Sequence, residues 1–255
     1  MDKKISVVII TLNEEKIIEK CLSKLKFADE IIVIDSGSID KTVEICEEFG
    51  AKVFYNKFEG YGLQKQFAVA KTNNDWVFAL DADEILTDEL INEINDVFKE
   101  KKDSYNGFFM QGNHVFMNKV FKYGHDNQHF YLRLFNKKHG NFNSNSVHET
   151  VRVEGPIYKL KNAFLHYSYY SIEVYISKLN NYTNLLSEIN FDKGKKYSVF
   201  VMVIKFLFEF VKKYFIHLNF LNGKEGFIWS TYSAFYTFTK CVKTNERFYN
   251  SINVH

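Results

Sequence analysis

Four short apolar runs rich in β-branched residues punctuate the first hundred positions: Ile5–Ile10, Glu30–Ile34, Lys52–Tyr55 and Trp76–Leu80. Each has the length of a strand and is apolar enough to be buried on both faces. Between and after them lie helical patterns at about 14–26, 40–49, 61–72 and 87–100. Asp40, ahead of Val43 and Glu44, reads as an N-cap. Strand and helix alternating over short connections predict right-handed βαβ units and a parallel sheet. From Tyr105 to His166 the pattern shifts to shorter strands and polar loops, including the Asn-rich stretch Asn141–Asn145. From Ser171 it turns helical, with Ile172, Tyr175, Ile176, Leu179 and Tyr182 at three-and-four spacing. The expected plan is an α/β domain over 1–170, Rossmann-like with a mostly parallel sheet, and a helical C-terminal extension over 171–255.

Composition narrows the classes. With 46% hydrophobic and 25% charged residues in 255, the chain is neither disordered nor fibrous. Cys21, Cys46 and Cys241 form no CxxC pair, which argues against a disulfide framework or a cysteine metal site and fits a reducing cytosol. The run Ile5–Ile10 is too short for a signal-peptide core, and Val199–Phe220 is interrupted by Lys205, Glu209, Lys212, Lys213 and His217. A cytoplasmic location is therefore expected, without a membrane span.

Charge is uneven. Residues 190–255 carry ten Lys/Arg against four Asp/Glu, whereas residues 1–189 carry 23 against 27. Fourteen of the 44 aromatic residues fall between Tyr197 and Phe238. A basic, aromatic helical end suits peripheral contact with an anionic membrane; the same aromatics also suit packing on the α/β core or on a partner subunit. Because they are interleaved with Val, Ile and Leu, they do not read as stacking platforms for nucleic acid.

In parallel α/β sheets, ligands bind at the carboxyl ends of the strands. Those ends carry Thr11, Asn13 and Glu14; then Asp35-Ser36-Gly37-Ser38-Ile39-Asp40; then Asp81-Ala82-Asp83-Glu84. The three clusters should converge on one crevice. Asp81 and Asp83 cannot both ionise comfortably after a buried strand unless a cation or water reaches them. Oxygen ligands with open positions suit Mg²⁺ or Mn²⁺ bridging to a diphosphate; extra acid at a helix start is the plainer alternative. Asp35, Ser36 and Ser38 can meet a base or ribose, or close a turn into the next helix, and the two roles are compatible. Arg133 lies on an apolar strand and needs a partner, either carboxylate or phosphate. His148-Glu149 reads as a surface pair or as catalytic machinery. His166 reads as a core histidine or as a metal or phosphate ligand. P-loop, GxGxxG, HExxH and GxSxG motifs are absent.

Three segments then carry a resemblance: Ile5–Glu14, Ile32–Thr42 and Leu80–Glu84. Together they resemble the signature segments of glycosyltransferase family 2, enzymes with the GT-A fold that transfer sugars from nucleotide donors. Gly60–Gln66, Leu132–Phe135, Val147–Glu149 and Leu165–Ser168 resemble a narrower branch, the lipopolysaccharide-core glycosyltransferases. The resemblance spans roughly residues 4–245. It implies a nucleotide-sugar pocket lined by Thr11, Asn13, Glu14, Asp35, Ser36, Ser38, Lys65, Asp81 and Arg133, with a UDP-sugar as the usual donor. Asp83 would hold the divalent cation, and His166, where it is a ligand and not a core histidine, would join it. The acceptor would be a hydroxyl of a cell-envelope glycan or glycolipid, attacked with inversion. Glu149 would be the general base, with His148 orienting it or contacting a phosphate, because the carboxylates of the first hundred residues are committed to nucleotide and metal. The chain departs from the pattern at Gln128-His129-Phe130, where relatives carry an acid. Two rival classes fit less well. A sugar nucleotidyltransferase expects a glycine-rich basic loop where Thr11-Leu12-Asn13-Glu14 stands, and a non-catalytic binding module has no need of both Asp81 and Asp83.

Overall fold

The computed structural model describes residues 4–127, 129–145 and 149–253. The chain falls into two compact units. One comprises the residues up to Asn113 and the stretch ending at Tyr167; the other comprises His114–Asn127 and the chain from Ser168 onward. The sequence boundary near residue 170 did not separate out the 114–127 segment.

The first unit runs β1 (Ile5–Thr11), α1 (Ile18–Ser23), β2 (Glu30–Asp35), α2 (Thr42–Glu48), β3 (Lys52–Tyr55), α3 (Tyr61–Ala70), β4 (Trp76–Asp81), β5 (Glu84–Ile85) and α4 (Asp88–Lys101). There follow β6 (Gly107–Phe116), β7 (Lys119–Val120), β8 (Phe130–Asn136), β9 (Gly140–Phe142), β10 (Val151–Val153) and β11 (Ile157–Tyr169). The main sheet has the order β3-β2-β1-β4-β8-β6-β11-β5. Its β3-β2-β1-β4 half is parallel, and β8 joins β4 antiparallel. This is the α/β, GT-A-like architecture that the resemblance implies. The end of β6 and all of β7 belong to the second unit, where Val115 and Phe116 pair with β7.

The parallel strands are the four apolar runs; β1, β2 and β4 are largely buried on both faces, whereas β3, the edge strand, leaves Lys52 and Tyr55 exposed and Val53 and Phe54 half-buried, against the expectation. Val7, Ile9 and Val33 pack into one cluster, and Val8, Ile32 and Ile34 into another. Helix α1 starts later than its pattern suggests, because Ile17 and Ile18 amides first close a turn on the Glu14 carbonyl. The N-cap of α2 is Lys41, with no side-chain cap; Asp40, expected there, stands one position earlier and accepts from the Thr42 amide and hydroxyl in the turn ahead of the helix. The later strands are longer than expected. β6 spans ten residues and β11 thirteen. In β11, Leu160 and Phe164 point into the core while Lys159 and Lys161 face solvent, and that polar alternate face reads as loop in the sequence.

The second unit is built on α5 (Ile172–Asp192), α6 (Val199–Val211) and α7 (Lys224–Asn253). Ser171 and Ser198 cap α5 and α6, accepting from the Val174 and Val201 amides. Phe116 and Phe121 join Tyr175, Leu179 and Trp229 in its core. A π-turn over Lys212–Ile216 and a 3₁₀ turn over Asn219–Asn222 link α6 to α7. Among the described residues, no helix is long and apolar enough to cross a membrane.

Candidate active site

Strand register lines up the first unit's chemistry. Thr11 at the end of β1 stands opposite Asp35 at the end of β2, and Ile10 stands opposite Asp81 at the end of β4. Asp81 is the hub. Its Oδ1 lies 2.7 Å from Lys65 Nζ, and its Oδ2 accepts from Arg133 Nη2 at 3.0 Å. Lys65 Nζ also donates to Glu149 Oε1 at 2.7 Å, so one buried ammonium bridges two carboxylates 68 positions apart in sequence. Arg133 pairs as well with Glu84, a fully buried acid whose Oε2 accepts the Asp81 amide.

Two loop contacts bring Lys65 and Glu149 together. The Gly62 amide donates to the Asn145 carbonyl at 3.0 Å, and Gln66 Nε2 donates to the Phe142 carbonyl at 2.6 Å. A Cβ at Gly62 would sit 2.2 Å from the Asn143 carbonyl oxygen, so only glycine lets α3 approach this loop so closely.

Electrostatics follow from burial and these partners. Burial alone would raise the Asp81 carboxyl, but Lys65 and Arg133 hold it well below the usual carboxylate range. Burial pushes the Glu84 carboxyl up, with Arg133 opposing it and Asp81 reinforcing it. For His166, burial favours the neutral ring; Asp83, whose Oδ1 lies 3.4 Å from Nε2, outweighs it and raises the imidazole to about 9. The two acids that the sequence reading left in need of a cation are thus served by protein cations, Lys65 and Arg133 on Asp81 and His166 beside Asp83.

The remaining expected residues divide. Asp35 accepts from the Gly37 and Ser38 amides, both at 2.8 Å, and from the Ser38 hydroxyl. Gly37 takes φ +105° in that turn, a conformation glycine permits. Asn13 is stitched to the same loop: its amide donates to Ser38 Oγ, and its Oδ1 accepts the Ile39 amide. Ser36 Oγ accepts from Gln64 Nε2, and the Glu14 amide donates to Thr42 Oγ1. These bonds express the turn-forming reading of the 35–38 segment and join it to the loop after β1. Thr11 Oγ1 and Arg133 Nε are buried with no hydrogen-bond partner among the described residues. Such groups cost stability unless a ligand or water satisfies them. His148 lies outside the described residues.

Sequence reasoning missed Glu84 and Gln64. Glu84 completes the Asp-Ala-Asp-Glu run, so it was in view, but its burial against Arg133 depends on a strand 49 positions away. Gln64 ties Ser36 to Asn56, and nothing local marks it.

Comparison with known proteins places this site in a family. A protein of Rickettsia conorii named as an uncharacterized glycosyltransferase is 36% identical over 268 residues, covering 100% of this chain and 94% of its own. A lipopolysaccharide core biosynthesis glycosyltransferase of Rhizobium meliloti is 27% identical over 95% of this chain and 92% of its own. Among solved structures, Staphylococcus aureus TarS overlaps 48% of this chain and 24% of its own at 23% identity, with a TM-score of 0.41. The family model described as glycosyl transferase family 2 matches residues 6–153, a span that holds Thr11, Asp35, Lys65, Asp81, Arg133 and Glu149. The chain belongs to glycosyl transferase family 2.

Proposed function

We propose that the protein moves a sugar from a nucleotide-diphosphate donor, a UDP-sugar in the first instance, to a hydroxyl of a cell-envelope glycan or glycolipid, with inversion at the anomeric carbon. The observation that carries this reading is the Asp81 hub at the strand ends, with Lys65 and Arg133 buried against it. Similarity to the Rhizobium meliloti protein supports an acceptor of the lipopolysaccharide-core type.

Asp83 and His166 fit a divalent cation. Together they offer one carboxylate oxygen and one imidazole nitrogen 3.4 Å apart, once His166 yields its proton. Among the described residues no group of three His, Cys, Asp or Glu side chains is arranged for a cation, so Asp83 and His166 would hold it only together with oxygens from the donor and water. When bound, Mg²⁺ or Mn²⁺ supplies charge neutralisation for the departing diphosphate.

The chain's own residues do the rest. Thr11 and the 35–38 loop seat the nucleoside, with the Thr11 hydroxyl gaining a partner. Lys65 turns from its two carboxylates toward the diphosphate, which leaves Glu149 to take the proton of the acceptor hydroxyl. The acceptor oxygen bonds to the anomeric carbon as the bond from that carbon to the diphosphate oxygen breaks, and the nucleoside diphosphate leaves. A panel of nucleotide sugars, with Mg²⁺ or Mn²⁺ and then with excess EDTA, tests this by thermal shift and donor hydrolysis. One donor class is expected to stabilise the chain only with metal. If no nucleotide sugar stabilises it or is hydrolysed, the reading fails; full activity in EDTA removes the metal.

A further inference from the structure

The exposed surface of α6 is apolar to a degree that no contact within its unit explains. Val199, Phe200, Val203, Ile204, Leu207 and Phe208 are all exposed, Phe200 at 75%, and only Met202 on this helix is buried. At about 100° per residue they share one uninterrupted arc of roughly 180°. Lys205 lies just beyond the Phe208 edge of that arc, and Glu209 lies on the opposite face. The apolar surface continues past the helix: Phe215, Ile216, Leu218, Phe220 and Leu221 in the connection to α7 are exposed as well. Soluble monomers rarely expose so large a contiguous apolar patch without a partner for it.

Lysines border this surface. Lys205, Lys212, Lys213 and Lys224 flank the arc and the connection, in a stretch where ten Lys/Arg face four Asp/Glu. Acids are fewer: Glu209 stands 3.8 Å from Lys212, and Glu225 stands 3.8 Å from Lys224. A second copy of this chain docked on the face would bring like charges together around an apolar seam. A bilayer of anionic lipid meets both features at once, with acyl chains for the arc and phosphate headgroups for the rim.

We propose that α6 and the connection to α7 form a monotopic membrane-binding surface that inserts its apolar arc into one leaflet of an anionic bilayer. Thirteen helical residues reach about 20 Å, short of the roughly 30 Å hydrocarbon core, so the helix lies in the interface and does not span it. Apolar insertion supplies the depth and the lysines supply lipid selectivity.

Flotation of the full chain with vesicles of phosphatidylcholine and phosphatidylglycerol at 7:3, and with pure phosphatidylcholine, tests the proposal. The chain is expected to float with the anionic vesicles and much less with the neutral ones. Phe200→Ser, Leu207→Ser and Phe208→Ser combined should weaken binding at least tenfold with an unchanged circular dichroism spectrum, because all three side chains are already exposed. Lys205→Gln, Lys212→Gln and Lys213→Gln combined should weaken binding to anionic vesicles about a hundredfold at low salt, at about fivefold per lysine. Failure of the wild-type chain to float with anionic vesicles overturns the proposal. So does equal flotation of the folded triple-serine variant. Sedimentation that shows a dimer dispersed by the same serine substitutions, without vesicle binding, assigns the face to a second copy instead.

Discussion

At the scale of single residues, the site is a buried charge cluster in which each member neutralises another. Arg133 holds Asp81 and Glu84, and removing it leaves Glu84 buried without its ion-pair partner. Breaking a buried pair from one side is far more disruptive than replacing both partners. Arg133→Met is therefore expected to cost about 3–5 kcal/mol in urea denaturation. Combining Arg133→Met with Glu84→Leu should recover much of that loss. If the double variant is as unstable as the single, the pair is not what stabilises this region. The roles proposed for Glu149 and Asp83 separate kinetically. Glu149→Gln should bind the donor with near-normal affinity and lose roughly 10²–10⁴-fold in transfer, because a base acts on the acceptor. Asp83→Asn should lose donor affinity as well as turnover. Donor titration by calorimetry beside a transfer assay reads both; a Glu149→Gln enzyme that transfers at the normal rate moves the base elsewhere.

At the scale of elements, the N-terminal half was readable because its signals are local. Apolar runs of strand length, helical spacing between them and acids at the strand ends placed β1 to β4 and α1 to α4, with Asp81 and Asp83 at the crevice. Lys65 was named from a resemblance, yet its partners Asp81 and Glu149 come together only through the packing of α3 on the 142–145 loop. No periodicity encodes a contact of that kind. The half-polar strand β11 was hidden by its own alternation, since Lys159 and Lys161 look like loop residues until Leu160 and Phe164 are seen to be buried. The α3–loop contact makes its own prediction. Gly62→Ala drives a methyl into the Asn143 and Asn145 backbone at 2.2 and 2.7 Å, and a backbone cannot swing aside as a side chain can. The loop must move, and the Lys65–Glu149 contact moves with it. Transfer should fall at least tenfold, while the far-ultraviolet circular dichroism spectrum is retained. Unchanged kcat and KM would mean that this approach does not position the pair.

At the scale of the whole molecule, the unit boundary departs from the linear order of the chain. β6 and β8 pair as antiparallel neighbours with Gln111 opposite Phe130, and the Gly112 amide donates to the His129 carbonyl. The residues between are therefore an excursion from a hairpin. Their aromatic side chains Phe116 and Phe121 are buried with Tyr175 and Trp229, more than fifty positions further along the chain, which is why a left-to-right reading assigned them to the first domain. The excursion is fastened by hydrogen bonds too: Asn222 Oδ1 accepts the Lys122 and Tyr123 amides, and its Nδ2 donates to the Tyr123 carbonyl. Cutting the chain after Tyr170 removes all of these partners and leaves two large aromatic side chains in water. Their burial is worth about 1.5–3 kcal/mol each. Residues 1–170 alone are expected to aggregate or to bind a hydrophobic dye. Replacing residues 114–128 in that same fragment with a two-residue Asn-Gly turn closes the β6–β8 hairpin directly. The shortened fragment should be soluble, unfold cooperatively and expose little apolar surface. Solubility of the plain 1–170 fragment with native-like cooperative unfolding would show that the excursion folds without the helices, and that the boundary drawn from burial is not the one that governs folding.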